Sequence, residues 1–290
     1  MFCLETENLK LKLEVIPVES LKQHEETFPH FVNELIEEFK NCKNLQHPII
    51  VDENNIILDG NHRTSVFKEL KFKYIPVCKI DYFNENTELR YWFRLLGNIK
   101  SMDLLKQIIG EVNGTFRQVT DKETLKKTLD KNILNCGVQQ GNFYASISFD
   151  EEIVNDAVKA YDVLGKIQEK LVQKGMELKY IPCQYVHERK FCNKLKDDEI
   201  VIWTPQIRKE MVVDAVKRGK MFAPKTTRHL IPARPLNVNV PTYWFKENIL
   251  LEEINNNFLK FLESKNLKRF GPGQVINGRY YEEELFVFFD

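Results

Sequence analysis

The chain reads as a mixed α/β (α+β) protein of two domains, and three observations predict it. It has 290 residues, enough for two ordinary domains, and 43% of them are hydrophobic, so a buried core is available. Short β-branched runs alternate with amphipathic helical patterns along most of its length, the pattern of packed α/β layers. No repeat, coiled-coil heptad or low-complexity tract interrupts that alternation.

The elements follow in order. Leu11, Leu13, Val15 and Pro17 alternate loosely and predict an entry strand over residues 11–18. Phe28, Phe31, Val32, Leu35, Ile36 and Phe39 fall on one helical stripe, with Pro29 suited to the first turn. His24 and Glu25 sit in the approach to that helix, outside its buried stripe. Glu25 and Glu26 also suit a helix start as acids that complement the dipole. From His47 the chain reads His-Pro-Ile-Ile-Val, a polar Asp-Glu-Asn-Asn, and Ile-Ile-Leu, two strands around a turn. The second run stops at Asp59-Gly60-Asn61-His62-Arg63, and Val66, Phe67 and Leu70 begin a helix. Asp59 to Thr64 therefore lies where a strand becomes a helix N-terminus, with free backbone N–H groups and a partial positive charge. Such an end binds anions, and His62 and Arg63 add donors to it. Gly60 lets the backbone approach a ligand. The same residues also suit an ordinary turn with Asn61 as N-cap. Tyr74–Ile80 predicts a further strand, and Tyr91-Trp92-Phe93 reads as core.

Residues 98–135 look helical and charged, with Leu104, Leu105, Ile108 and Ile109 as an apolar patch. Phe143–Phe149 alternates as a strand. Asp150 then reads as the cap of a long helix striped by Ile153, Val154, Ala157, Val158, Tyr161 and Leu164. Strands at 178–182 and 199–203 precede a helix from about Pro205 to Arg218. Lys225, Thr226, Thr227, Arg228 and His229 follow it, a dense run of donors able to wrap a phosphate or carboxylate, or to form a solvated basic loop. From Lys246 a helix carries Leu250, Leu251, Ile254, Phe258, Phe261 and Leu262, and Leu285–Phe289 ends the pattern as a strand. The expected division is 1–97, 98–245, and an extension, 246–290, without an assigned role.

Charge is balanced, 42 basic residues against 42 acidic, which gives no electrostatic case for nucleic-acid or membrane binding. No apolar run approaches the roughly 20 residues that span a bilayer, and the N-terminus lacks the basic and apolar regions of a signal peptide. The expectation is a soluble, cytoplasmic protein. Its six cysteines form no Cys-x-x-Cys pair, so reduced structural thiols are expected. A redox or metal-sensing pair of Cys183 and Cys192 near His187 stays open as the alternative.

The Asp59–Arg63 string, with its surroundings from about 12 to 83, resembles the ParB/sulfiredoxin superfamily signature, an Asp/Gly-Gly-x-His-Arg segment that opens a helix. Together with His24-Glu25 and the Pro-Lys-Thr-Thr-Arg-His string at 224–229, the chain looks like the free serine kinases of that superfamily over about residues 12–245. Those enzymes make O-phospho-L-serine from L-serine, with ADP in archaeal members and ATP in bacterial siderophore-linked ones. The resemblance implies a ParB/sulfiredoxin-like nucleotide-binding domain over 1–97, a second α/β domain, and an active-site cleft between them. It implies Mg²⁺ with ADP or ATP as cofactors, and L-serine and a nucleotide as the partners. Glu25 matches the catalytic glutamate. Asp59 opens the phosphate-binding segment and is expected to be catalytic, helping to place Mg²⁺ directly or through water, since Mg²⁺ prefers one or two carboxylates with phosphate oxygens and water. Gly60, Asn61, His62, Arg63 and Thr64 match the phosphate-binding segment. Trp92, Lys225, Thr226, Thr227, Arg228 and His229 match the serine end. Asn61 departs from the archaeal Asp-Gly-His-His-Arg, which leaves the preferred nucleotide open. A sulfiredoxin would need Cys where Asn61 stands, and a partition protein would need a helix-turn-helix and a basic surface. A ParB-like nucleotide-binding regulatory or DNA-associated protein without turnover is the remaining alternative.

Overall fold

A computed structural model describes residues 1–7, 9–41, 44–183, 195–246 and 248–290. The chain forms two compact units, the first made of Met1–Glu88 with His229–Asp290 and the second of Leu89–Arg228.

Unit 1 is built on a five-stranded sheet of β1 (Phe2–Glu5), β2 (Lys10–Pro17), β4 (Ile49–Asp52), β5 (Ile57–Asp59) and β6 (Tyr74–Ile80). Their order is β1-β2-β6-β4-β5. Only the β4–β6 pair is parallel, with Ile49 opposite Val77 and Ile50 opposite Cys78. Leu11, Leu13, Val15, Ile49, Val51, Ile75 and Val77 are buried, so the β-branched runs read in the sequence are the centre of this sheet. The expected hairpin is β4–β5. Its turn is closed by Asp52, whose carboxylate accepts from the N–H groups of Asn54 (2.9 Å) and Ile56 (2.6 Å). α1 (Pro29–Asn41) and α2 (Asn61–Glu69) complete the N-terminal part, with a short strand β3 (Asn44–Leu45) between β4 and α1. The apolar stripe of α1 is less buried than its periodicity suggests: Val32 is its buried residue, and Phe31 is 43% exposed.

Unit 2 carries the larger sheet. Its strands are β7 (Glu88–Gly97), β8 (Gly114–Val119), β9 (Cys136–Gln140), β10 (Phe143–Phe149), β11 (Glu177–Pro182) and β12 (Ile200–Trp203), in the order β11-β7-β12-β9-β10-β8, and β13 (Thr227–Leu230) also pairs with β7. α3 (Met102–Glu111), α4 (Lys122–Lys131), α5 (Ala157–Gln173) and α6 (Lys209–Lys217) belong to the same unit. Phe93 and Trp203 stack at 5.3 Å in a core with Leu125, Leu129 and Val201. Three sequence expectations change here. Residues 98–135 are not purely helical: β8 lies among them, an edge strand in which Arg117 and Gln118 are both exposed, which interrupts the alternation of a strand. The cap of α5 is Asp156, which accepts from Lys159 N, while Asp150 closes a turn through Ile153 and Val154. α6 begins at Lys209, not Pro205, and the carbonyl of Pro205 accepts from the buried Tyr161 hydroxyl at 2.9 Å.

The chain then returns to unit 1 as β14 (Ala233–Leu236), β15 (Val240–Pro241), α7 (Leu251–Glu263), β16 (Asn266–Phe270), the hairpin β17 (Gln274–Ile276) and β18 (Arg279–Tyr281), and β19 (Glu284–Phe289). The division therefore differs from the expected 1–97, 98–245 and 246–290. β7, expected to close the first domain, pairs with β11 and β12 inside the second sheet. Residues 246–290 are no separate extension. β19 pairs in parallel with β14, and the Asn255 amide of α7 completes the backbone of Val15, accepting from its N–H (2.9 Å) and donating to its carbonyl (2.8 Å). Cys3, Cys78, Cys136 and Cys183 are free thiols. Cys42, Cys192 and His187 lie outside the described residues. No helix is long and apolar enough to cross a membrane among the described residues.

Candidate active site

The expected strand-to-helix junction is present in unit 1. Gly60 is the N-cap of α2, in a left-handed conformation with φ 111°, and no side chain caps the helix. By contrast α3, α4 and α5 are capped by Ser101, Asp121 and Asp156. Asn61 is thus the first helical residue rather than the cap. A Cβ on Gly60 would lie 2.6 Å from Ile49 Cδ1 and 3.0 Å from the Arg63 guanidinium, so glycine is required by φ and by packing, whatever binds there. The first intrahelical bond is Thr64 N–H to Gly60 O at 2.9 Å. The N–H groups ahead of it point out of the helix end, where an anion is stabilised. The Asn61 Oδ1 and Thr64 Oγ1 atoms are buried without a hydrogen-bond partner among the described residues. Buried polar atoms rarely stay so.

The segment that carries Glu25 is fastened to this same helix end. The Phe28 N–H donates to His62 Nε2 at 3.2 Å, Gln23 donates to Ser65 Oγ at 3.3 Å, and Lys68 donates to Gln23 Oε1 at 2.9 Å. On its other side, Lys22 bridges to the hairpin, its N–H reaching Asn55 O at 2.9 Å and its carbonyl accepting from Ile57 N at 3.0 Å. Glu25 is half-buried between these ties. His24, expected outside the core, is instead fully buried, because the extended backbone turns successive side chains to opposite faces. Its ring meets the edge of His229 at 5.3 Å, and the Tyr82 hydroxyl contacts His229 Nε2 at 2.9 Å. Burial lowers the His24 pKa to about 4, against a hydrogen bond to the Ile57 backbone, so it is neutral at pH 7.

Asp59 and Arg63 are engaged by protein groups. Arg63 NH1 donates to the carbonyls of His47 (2.6 Å) and Pro48 (3.2 Å), and its NH2 lies 3.5 Å from the Asp59 carboxylate. Asp59 also accepts from the guanidinium of Arg234 in β14. Burial opposes ionisation of Asp59, but Arg234 and Arg63 outweigh it and hold the carboxyl well below the usual range. Burial, aided by the charges of Arg63 and Arg234, lowers the His47 pKa to about 4.

The second donor-rich segment divides at the boundary. Lys225 to Arg228 belong to unit 2, and His229 to unit 1. In unit 2 the loop is clamped through its backbone. Trp92 Nε1 donates to Thr227 O at 3.1 Å, and Arg94 donates to Lys225 O at 2.9 Å. The Thr226 hydroxyl donates to Ala223 O at 2.7 Å, closing the turn. Lys225 takes φ 59°, a left-handed conformation that costs a non-glycine residue roughly 1 kcal/mol. Lys225 Nζ stands 5.0 Å, and the Arg228 guanidinium 5.9 Å, from the Trp92 ring centroid, in cation–π geometry. The structure thus brings Trp92, Lys225, Thr227 and Arg228 together and gives Thr226 a bracing role.

Three residues at these sites carry no sequence signal of their own. Arg94 is 1% exposed and also donates to Gln168 Oε1 (2.6 Å) and Trp92 O (2.8 Å). Arg234 and Glu283 join at 2.7 Å. Arg94 and Arg234 are charges in apolar strand patterns, which points to a long-range polar partner but not to which one, and Glu283 is hidden in the run Glu282-Glu283-Glu284.

No family model matches the chain. An ATP-dependent L-serine kinase of Staphylothermus marinus is 29% identical over 245 residues, covering 78% of this chain and 88% of the relative. An ADP-dependent L-serine kinase of Thermococcus kodakarensis is 24% identical, covering 78% of this chain and 89% of the relative. Among solved structures, a free serine kinase in complex with AMP superposes with a TM-score of 0.63 at 21% identity, covering 80% of this chain and 93% of its own. The chain shares the fold of that structure.

Proposed function

We propose that the protein is a small-molecule kinase that moves a phosphoryl group from ATP or ADP to the hydroxyl of free L-serine, giving O-phospho-L-serine. The observation that carries the reading is the start of α2, an uncapped helix end with orphaned polar atoms at Asn61 and Thr64, tied through His62 to the segment bearing Glu25. In this reading the N-terminal turn of α2, from Gly60 to Thr64, holds the nucleotide phosphates. Glu25 is the general base that takes the serine hydroxyl proton. The serine oxygen forms the new bond to the terminal phosphorus, and the bond from that phosphorus to the nucleotide's bridging oxygen breaks. Trp92, Lys225, Thr227 and Arg228 receive serine, the cations pairing with its carboxylate and the indole excluding water. Thr226 and His229 hold this segment in place. Free serine and nucleotides are cytoplasmic substrates, which puts the activity there.

Mg²⁺ prefers one or two open carboxylates with phosphate oxygens and water. Asp59 faces two guanidiniums, and no group of three or more His, Cys, Asp or Glu that could hold a metal exists among the described residues. The residues do not fit a protein-built Mg²⁺ cage. We assign Asp59 to orienting Arg63 and Arg234, and Mg²⁺ to the nucleotide that brings it. One relative is named for ATP and the other for ADP, so both donors belong in the assay. Incubation with L-serine, Mg²⁺ and each nucleotide should yield phosphoserine by mass spectrometry. Glu25→Gln should lower turnover roughly 100-fold with nucleotide affinity nearly kept. Nucleotide binding without a serine-dependent product would return the protein to the regulator class.

A further inference from the structure

Residues 246–290 follow every motif in the chain, yet one of their side chains is linked to the Asp59 loop through Arg234. Glu283 sits just before β19, between Tyr281 and Leu285, which pack with Leu236 and Val287 in a small buried core. The Glu284 N–H donates to Pro232 O at 3.0 Å, and β19 runs beside β14 with Arg234 opposite Leu285. This framework places Glu283 Oε1 2.7 Å from Arg234 Nε, with the two side chains 6% and 9% exposed. Another nitrogen of the same guanidinium binds Asp59. A guanidinium is a rigid planar fork, so fixing Nε also fixes the direction of its other nitrogens. Asp59 immediately precedes the N-cap of α2 and shares its carboxylate with Arg63, which holds the carbonyls of His47 and Pro48. The line of contact runs from Glu283 through Arg234 and Asp59 to the start of α2. Both ends of Arg234 are satisfied by acids, which hold it charged against its burial. The neighbouring hairpin adds a further positive charge, that of Arg279, within electrostatic reach of Asp59 and Arg63.

We propose that Glu283 is a positioning residue for the nucleotide phosphates, acting through Arg234 on Asp59, and that residues 246–290 are thereby a working part of the nucleotide site. The proposal rests on the reading of α2 as the phosphate-binding helix. Glu283→Ala removes the acceptor from Arg234 Nε and frees the fork to turn. Glu283→Gln keeps an acceptor in place without the charge. Calorimetry with ATP and with ADP, with Mg²⁺ present, measures the effect on the folded protein, alongside serine saturation kinetics and thermal melting. Residues that support metal ligands from behind typically carry a 10- to 100-fold effect when removed, and the lower end of that range is taken for a residue that supports a phosphate site. Nucleotide affinity should fall about tenfold in Glu283→Ala, with the KM for serine unchanged, and Glu283→Gln should recover most of it. A merely structural role would lower the melting temperature and leave nucleotide affinity as in the parent protein, and that result overturns the proposal. Should Glu283→Ala not fold, Glu283→Asp decides the question: it keeps the charge and shifts the fork by one methylene. An unchanged nucleotide affinity there is equally fatal, and a reduced one supports the proposal. Failure of the parent protein to bind either nucleotide would instead overturn the phosphate-site reading, and this proposal with it.

Discussion

Replacing Arg94 by methionine separates what holds the Lys225 loop from what the loop does. Methionine keeps the aliphatic stem and removes every N–H donor. The bonds lost run to Gln168 Oε1, Trp92 O and Lys225 O, at 2.6, 2.8 and 2.9 Å. Hydrogen bonds from a charged donor contribute about 1.5–3 kcal/mol each, but the sum overstates the loss, because burying the guanidinium is itself costly. The ring faces of Tyr180 and Tyr161, 4.7 and 5.9 Å from the guanidinium carbon, also lose a cation and gain a sulfur neighbour. The variant leaves neutral acceptors unpaired at about 1–3 kcal/mol each, partly offset by the lost cost of burying the guanidinium, for a net loss of about 3–5 kcal/mol. In a chain of this size that lowers the melting temperature by about 10 °C. The loop should also slacken, since the left-handed Lys225 loses its carbonyl anchor. Serine saturation at fixed nucleotide should then show a KM raised about tenfold or more, as small misplacements of binding groups do. Arg94→Lys, which keeps charge but not the fork, should fall between. A melting temperature within about 2 °C of the parent, with an unchanged KM for serine, would refute Arg94 as the anchor.

Other expectations follow from the same geometry. Gly60→Ala should cost about 2–4 kcal/mol in urea unfolding, from its φ of 111° and the Ile49 contact; adding Ile49→Val should recover the steric part only, and full recovery would show that φ is not strained. Arg63→Ala should lower both nucleotide affinity by calorimetry and stability, the latter by about 2–3 kcal/mol, since it holds two carbonyls. Unchanged nucleotide affinity in the folded variant would leave Arg63 a brace alone. Asp156, 16% exposed in its side chain, has its pKa lowered to about 2: burial raises it, but the Lys159 N–H, Arg218 and Lys220 outweigh that. A depressed acid contributes stability above its ordinary pKa of 3.8 and loses it as pH falls towards about 2. Asp156→Asn keeps the cap and drops the charge, so its deficit of about 1 kcal/mol at neutral pH should vanish between pH 4 and 2. A deficit independent of pH would show that the ion pairs contribute nothing.

What the sequence revealed and what it hid have a common physical origin. The β4–β5–α2 unit was legible because its signals are local: a period of two, a polar turn, Asp-Gly, then a period near 3.6. The loop at Lys225 to Arg228 was legible as a cluster of donors for the same reason. The cap of α5 was placed six residues early because Asp150 and Asp156 are equally good caps, and only the turn through Ile153 and Val154 decides between them. Arg94, Arg234 and Glu283 were not legible as site residues, because their meaning lies in partners 49 to 175 positions away. His24 beside Glu25 shows the limit from the other side. The pair was read together as polar, and the pleat of an extended backbone buried one and left the other half-exposed.

The interruption of unit 1 by unit 2 has a consequence for how the protein is made. Asp59 leaves the ribosome 175 residues before Arg234, its ion-pair partner, and Glu283 follows 49 residues later still. Synthesis proceeds at roughly 5–20 residues per second, so the Asp59 loop waits on the order of ten seconds or more with Arg63 as its counter-ion, before Arg234 and then Glu283 are made. Residues 89–228 are contiguous and complete earlier, so they can fold while the first segment is still an unfinished half. A chain that stalls or is cut before β19 would keep every recognisable motif and lack the acid that steadies Arg234. In a cell, such fragments would carry an incomplete unit 1 with an exposed sheet edge at β14, well suited to removal by proteases that recognise unfolded chains.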